Sequence, residues 1–141
     1  MISPHRDLPV ADRIHRAELH FHRGMYALAV EEFRELLEAG AGESAAWKAD
    51  VGWHYAVCCA ALGKSDEADR TIEALLKTPG LSRMHSARLQ AVLGYSAFSC
   101  GKYAVAREAC RSAAQTLRGL GDHRGLAHAL RWLALTHLRL G

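Results

Sequence analysis

Gly101-Lys102-Tyr103-Ala104-Val105-Ala106-Arg107-Glu108-Ala109-Cys110 decides how this chain folds, because its skeleton occurs twice more. The other copies are Gly24-x-Tyr26-x2-Ala29-x3-Phe33 and Gly63-x-Ser65-x2-Ala68-x3-Ile72, with the glycines 39 and then 38 residues apart. A fixed period of this length marks duplication of one helical unit. Glycine ends one helix in a left-handed turn without a Cβ penalty, and a second helix starts within a few residues, so each unit is a helix hairpin. In that second helix the aromatic or Ser, the Ala and the large apolar residue fall at i, i+3 and i+7 on one face. Leu36, Leu75 and Ala113 extend the stripe. Ala marks the closest approach of the two helices.

Outside the repeats the composition points the same way. Half the residues are apolar and only three are Pro, and Ala, Leu, Arg and Glu favour helix over strand. The class expected is all-α. Breaks at Gly40-Ala41-Gly42, Pro79-Gly80 and Gly119-Leu120-Gly121 separate the hairpins and are too short to be flexible linkers. The expected organisation is an N-terminal tail over 1–9 and a single domain over 10–141, with repeats at about 10–43, 47–79 and 83–119 and a terminal helix at 122–140. Met1 to Val10 is polar rather than apolar after basic residues, so no secretory signal is expected. No apolar run approaches the ~20 residues of a membrane span. Four cysteines without a C-x-x-C pair suit a reducing, cytoplasmic setting. Arginine far outnumbers lysine and asparagine is absent, a bias of GC-rich coding that suggests a bacterial source.

These motifs resemble the tetratricopeptide repeat family, in which an aromatic and then Leu-Gly or Leu-Ala stand in the first helix and Ala-x3-Phe with a trailing Pro in the second. Leu93-Gly94 precedes Gly101 at that spacing, Tyr55-Ala56 precedes Gly63, Leu133-Ala134 precedes Gly141, and Pro79 stands where a second helix should end. The first unit departs from the pattern, with Arg16-Ala17 in place of Leu-Gly and His20 in place of the aromatic. Each repeat is also longer than the family's about 34 residues, which predicts helices extended by about a turn or looser turns. The resemblance implies a right-handed superhelical array of about three hairpins plus a C-terminal capping helix. The stretch from Gly121 to Leu130 is similar to repeat openings in large bacterial regulators that couple a signalling ATPase to helical repeats, so a homo-oligomerising or regulatory segment of such a protein is an alternative expectation.

No chemistry-bearing motif appears. There is no Gly-x-Ser-x-Gly elbow, no dinucleotide fingerprint and no phosphate loop, since Cys58 stands where the first Gly before Gly63-Lys64-Ser65 would be needed. Glu31-Glu32 and Asp66-Glu67 are read as acids at the starts of second helices, complementing the dipole. His15, His20 and His22 crowd the first helix, but at ~100° per residue His20 points about 140° away from His15, so they do not converge on an ion. His137 is expected in the core, and Cys110 is expected to act as a small buried hydrophobe. Neither a catalytic residue, a metal nor a cofactor is expected.

Binding is the function that remains. The resemblance implies that first helices line a concave face. Trp53 with Val57, Val92 with Tyr95 and Phe98, and Leu135 with Leu138 each share a helical face, and together they would make an apolar groove. Trp53, Val57, Tyr95, Phe98, Arg131 and Leu135 are the candidate contacts for a protein or peptide ligand. Arg88, His128, Arg131 and Arg139 are expected to rim the groove with Glu18 opposing them, favouring a segment apolar in the middle with some acidic character. Nucleic acid is the competing ligand, through Arg124, His128, Arg131 and Arg139 on the last helix. With 15 acids among 18 bases and a net charge of +3, a phosphate track is disfavoured.

Overall fold

The computed structural model describes residues 7–141, so most of the expected tail lies outside the described residues. Seven helices follow in order: α1 (Val10–His22), α2 (Tyr26–Ala39), α3 (Ala45–Ala61), α4 (Ser65–Leu76), α5 (Arg83–Ser99), α6 (Tyr103–Gly119) and α7 (His123–Leu140). Among the described residues there is no strand, and the all-α expectation holds. α1 forms despite its departures from the repeat pattern: Ala17 is fully buried, and the ring of His20 pairs with Glu32 of α2.

Two kinds of helix start alternate along the chain. α3, α5 and α7 are capped by side chains, with Ser44, Ser82 and Asp122 accepting from the backbone N–H of Trp47, His85 and Gly125. α2, α4 and α6 have no such cap and spring directly from a glycine turn. At Gly63 the φ is +80°, and the amides of Gly63 and Lys64 bond back to the carbonyls of Ala60 and Cys59. That pair of bonds satisfies the last carbonyls of α3 while the next helix is already starting. The same two bonds recur at Gly24, Gly101 and Gly121.

The packing explains the repeat residues. Ala29, Phe33 and Leu36 are buried on α2, Ala68 and Ile72 on α4, and Ala106, Cys110 and Ala113 on α6. Fully burying a side chain such as Phe33 or Ile72 is worth ~1.5–3 kcal/mol, so these stripes hold each hairpin closed. Gly94 lets α6 come close: a Cβ there would lie 2.5 Å from Cys110 Sγ and 3.2 Å from the Cys110 nitrogen. Burial raises the Cys110 thiol to about 11, so it behaves as a buried apolar group.

Each helix packs on its successor except that α3, the middle of the chain, also meets α5; α5 in turn meets α7, and α1 meets α3. The backbones of α2, α4 and α6 do not contact one another. The first helices of the hairpins therefore form one continuous row.

Two expectations are corrected here, and Ala134 departs from its counterparts. Glu31 and Glu32 lie in the second turn of α2, where they pair with Arg34 and His20 rather than serving the helix start. His137 is exposed. Thr136 takes the core position instead, because it stands i+4 from Trp132 and i+7 from Ala129, and its hydroxyl donates to the Trp132 carbonyl at 2.8 Å. Ala134 is exposed although Ala17, Ala56 and Gly94 at the corresponding place are buried, since no described helix covers that side of α7.

Candidate interaction groove

A partly open hollow of about 450 Å³ lies against this row of helices. Its wall is built from the end of α1 (Phe21 and His22), the following turn (Arg23 and Gly24), Tyr26 at the start of α2, one face of α3 (Trp53, His54 and Val57), Tyr95 of α5, and a long stripe of α7. That stripe runs Arg124, His128, Arg131, Trp132 and Leu135, which is the i, i+4, i+7, i+8, i+11 pattern of one helical face.

Aromatic rings connect these elements. Trp132 stacks on Tyr95 with centroids 5.0 Å apart and on Trp53 at 6.0 Å. Trp53 also touches His128 at 4.7 Å and Phe21 at 5.9 Å. The α3 and α7 backbones do not meet, so the two Trp rings bridge them across α5. Each such pair contributes ~0.5–1.5 kcal/mol beyond its buried area and so helps to hold α3, α5 and α7 together.

Five of the six candidate contacts, Trp53, Val57, Tyr95, Arg131 and Leu135, come together in this wall. Their accessibility differs. Val57 is 5% exposed and forms floor rather than surface, Trp53, Tyr95 and Leu135 are half-buried, and Arg131 is exposed. Phe98 stands outside the lining, where it stacks on Tyr95 and tilts against Tyr103 at 5.7 Å. Val92 is core. Leu138, expected to share the groove with Leu135, is 79% exposed and turned away.

Sequence reasoning missed Phe21, Tyr26, His54 and Trp132 as groove residues. His54 is held between Phe33, at 5.1 Å, and Phe21, at 5.0 Å. Its Nδ1–H donates to the Asp50 carbonyl at 2.8 Å, which leaves Nε2 as an acceptor. Burial pushes the His54 pKa below its ordinary value. His128 is lowered too, by burial and then by the charges of Arg124 and Arg131. Both rings are therefore neutral near pH 7.

A smaller cavity of about 160 Å³ adjoins the groove and shares Trp53, His54, Arg124 and His128 with it. Glu18, Asp50 and His85 line it too, so Glu18 shares this cavity with Arg124 and His128. Arg88 is not available to a ligand. Its guanidinium makes a bidentate pair with Asp122, Nε to Oδ2 at 2.6 Å and Nη2 to Oδ1 at 2.8 Å. Arg139 lines neither cavity.

Among the described residues no group of three or more His, Cys, Asp or Glu is placed to hold a metal ion. Nor is any described helix long and apolar enough to cross a membrane. Comparison with family profiles, with curated proteins and with solved structures finds no match.

Proposed function

We propose that this chain is a non-enzymatic, tetratricopeptide-like interaction module that binds a protein or peptide segment along the inner face of α1, α3, α5 and α7. The hairpins then form a right-handed superhelix with second helices outside, a proposal supported by the repeat glycines and by the contact order of the helices. A cytoplasmic setting belongs to the same proposal, supported by four free cysteines.

The observation that carries the reading is the groove itself, about 450 Å³ and floored by Trp53, Trp132 and Tyr95. Its volume is in the range of about 300–1,000 Å³ that holds a ligand, and half-buried aromatics with two or three rotatable bonds are efficient anchors.

The test is selection of peptides from a displayed random library on the folded chain, followed by binding to a Tyr95→Ala/Leu135→Ala variant. The expected result is that selected peptides bind the native chain and lose the variant while its helical circular dichroism is unchanged. Selected peptides that bind the variant equally well would place recognition elsewhere and overturn the proposal.

A further inference from the structure

The charge of the groove is segregated in a way the whole chain is not. The sequence carries 15 acidic residues against 18 basic ones, yet no Asp or Glu lines the groove, whereas Arg23, Arg124 and Arg131 all do. Three histidines, His22, His54 and His128, complete its polar wall. Three arginines elsewhere are held in ion pairs: Arg34 with Glu31, Arg70 with Glu67 and Arg88 with Asp122. Among the described residues no carboxylate lies within ion-pairing distance of Arg23, Arg124 or Arg131. All three are exposed, on two sides of the same aromatic floor: Arg23 follows α1, and Arg124 and Arg131 stand two turns apart on α7.

From this arrangement we infer that the groove's occupant is an acidic segment of a partner protein, in which a bulky apolar side chain enters between Trp53, Tyr95 and Leu135 while flanking carboxylates reach Arg23, Arg124 and Arg131. This rests on the groove being a peptide site. Guanidiniums around an aromatic-floored hollow with no carboxylate partner recognise carboxylates by planar, bidentate hydrogen bonds, and an anion among them relieves the mutual repulsion of the cations.

Cations beside aromatics also suit single-stranded nucleic acid, but the ring geometry argues against it. Base stacking needs a free ring face. Tyr95 has Phe98 and Trp132 stacked on it, and Trp132 in turn stacks with Trp53 and His128. Trp132 is only 4% exposed. With those faces taken, Tyr95 and Trp132 are poor platforms for a run of bases.

The experiment titrates the folded chain by fluorescence anisotropy with three labelled synthetic peptide pools and a labelled oligo-dT. The pools share Leu and Phe at alternate positions and differ only in carrying Glu/Asp, Ser/Gln or Lys/Arg between them. At about 50 mM salt, where screening is weak, the acidic pool is expected to bind about tenfold tighter than the neutral pool. Arg124→Gln/Arg131→Gln should remove most of the acidic pool's advantage and leave the neutral pool unchanged, and adding Arg23→Gln should remove the rest, with Arg131→Gln alone intermediate. Equal binding of the neutral or basic pool by the native chain would overturn the charge assignment and leave the groove standing. Oligo-dT binding tighter than the acidic pool would replace it with a nucleic-acid assignment. No binding by any pool would remove the groove reading together with this one.

Discussion

Asp122 holds two helices at once, and its replacement separates two contributions to stability. Its carboxylate caps α7 through the Gly125 amide at 3.2 Å and makes the bidentate pair with Arg88 of α5. The Asp122 and Arg88 side chains are 7% and 23% exposed, so the pair lies between a solvated and a buried one. Exposed pairs contribute about 0–1 kcal/mol and breaking buried ones costs about 3–5, which puts this pair near 2 kcal/mol. Loss of the cap adds about 1 kcal/mol. Asp122→Ala should therefore cost about 3 kcal/mol, and Asp122→Asn, which keeps a capping oxygen, about 2. In a cycle with Arg88→Met, the Asn change should cost little once the guanidinium is gone.

The assay is urea unfolding followed by circular dichroism, repeated across pH. The Arg88 hydrogen bond is the main cause that holds the Asp122 pKa below its ordinary 3.8, helped by the Gly125 amide. A carboxylate whose folded pKa is depressed contributes stability that is present above its unfolded value and is lost as pH falls through the folded one. The native chain should accordingly lose stability below about pH 4 more steeply than Asp122→Asn does. An Asn variant as stable as the native chain, with an unchanged pH profile, would refute the idea that this pair locks α5 to α7.

Two further outcomes follow from the packing. Gly94→Ala should destabilise by about 1–3 kcal/mol, because its Cβ would meet Cys110 Sγ at 2.5 Å, and Cys110→Ala should recover only part of the loss since the Cys110 nitrogen stays 3.2 Å away; urea midpoints of the two single variants and the double variant check this. Titration with a thiol reagent under native conditions should find Cys100 reactive and Cys58, Cys59 and Cys110 protected until unfolding, because Cys100 is exposed and the others are buried, with burial pushing Cys58 up to about 12. Reaction of all four thiols at one rate in the folded protein would contradict the core as described.

What could be read in the sequence is what depends on local backbone geometry. A glycine at positive φ between two helices, and an Ala four residues before a large apolar residue, are constrained by their nearest neighbours, so Gly63, Ala68 and Ile72 already define their hairpin. Gly94 was legible for the same reason. The groove was legible only in part. Trp53, Val57, Tyr95, Arg131 and Leu135 fall on the right faces of their own helices, but which faces meet depends on how the helices stack. That stacking brings Trp132 onto Trp53 although 79 residues separate them in number, and nothing in local spacing records it. The withdrawal of Arg88 from the groove was invisible for a similar reason, since its pairing with Asp122 spans 34 residues. His137 was misplaced because one step along α7 rotates a side chain by ~100°, enough to exchange core for solvent with Thr136.

Three tryptophans make the central claim directly measurable. Trp53 and Trp132 line the groove, whereas Trp47 packs over Gly40 at the α2–α3 turn. In a heteronuclear NMR titration with the acidic, Leu/Phe-bearing peptide pool, the indole N–H signals of Trp53 and Trp132 and the Tyr95 and Arg131 amides should shift while the Trp47 indole stays in place. Shifts confined to Trp47 or to the outer helices α2, α4 and α6 would contradict recognition through the inner face.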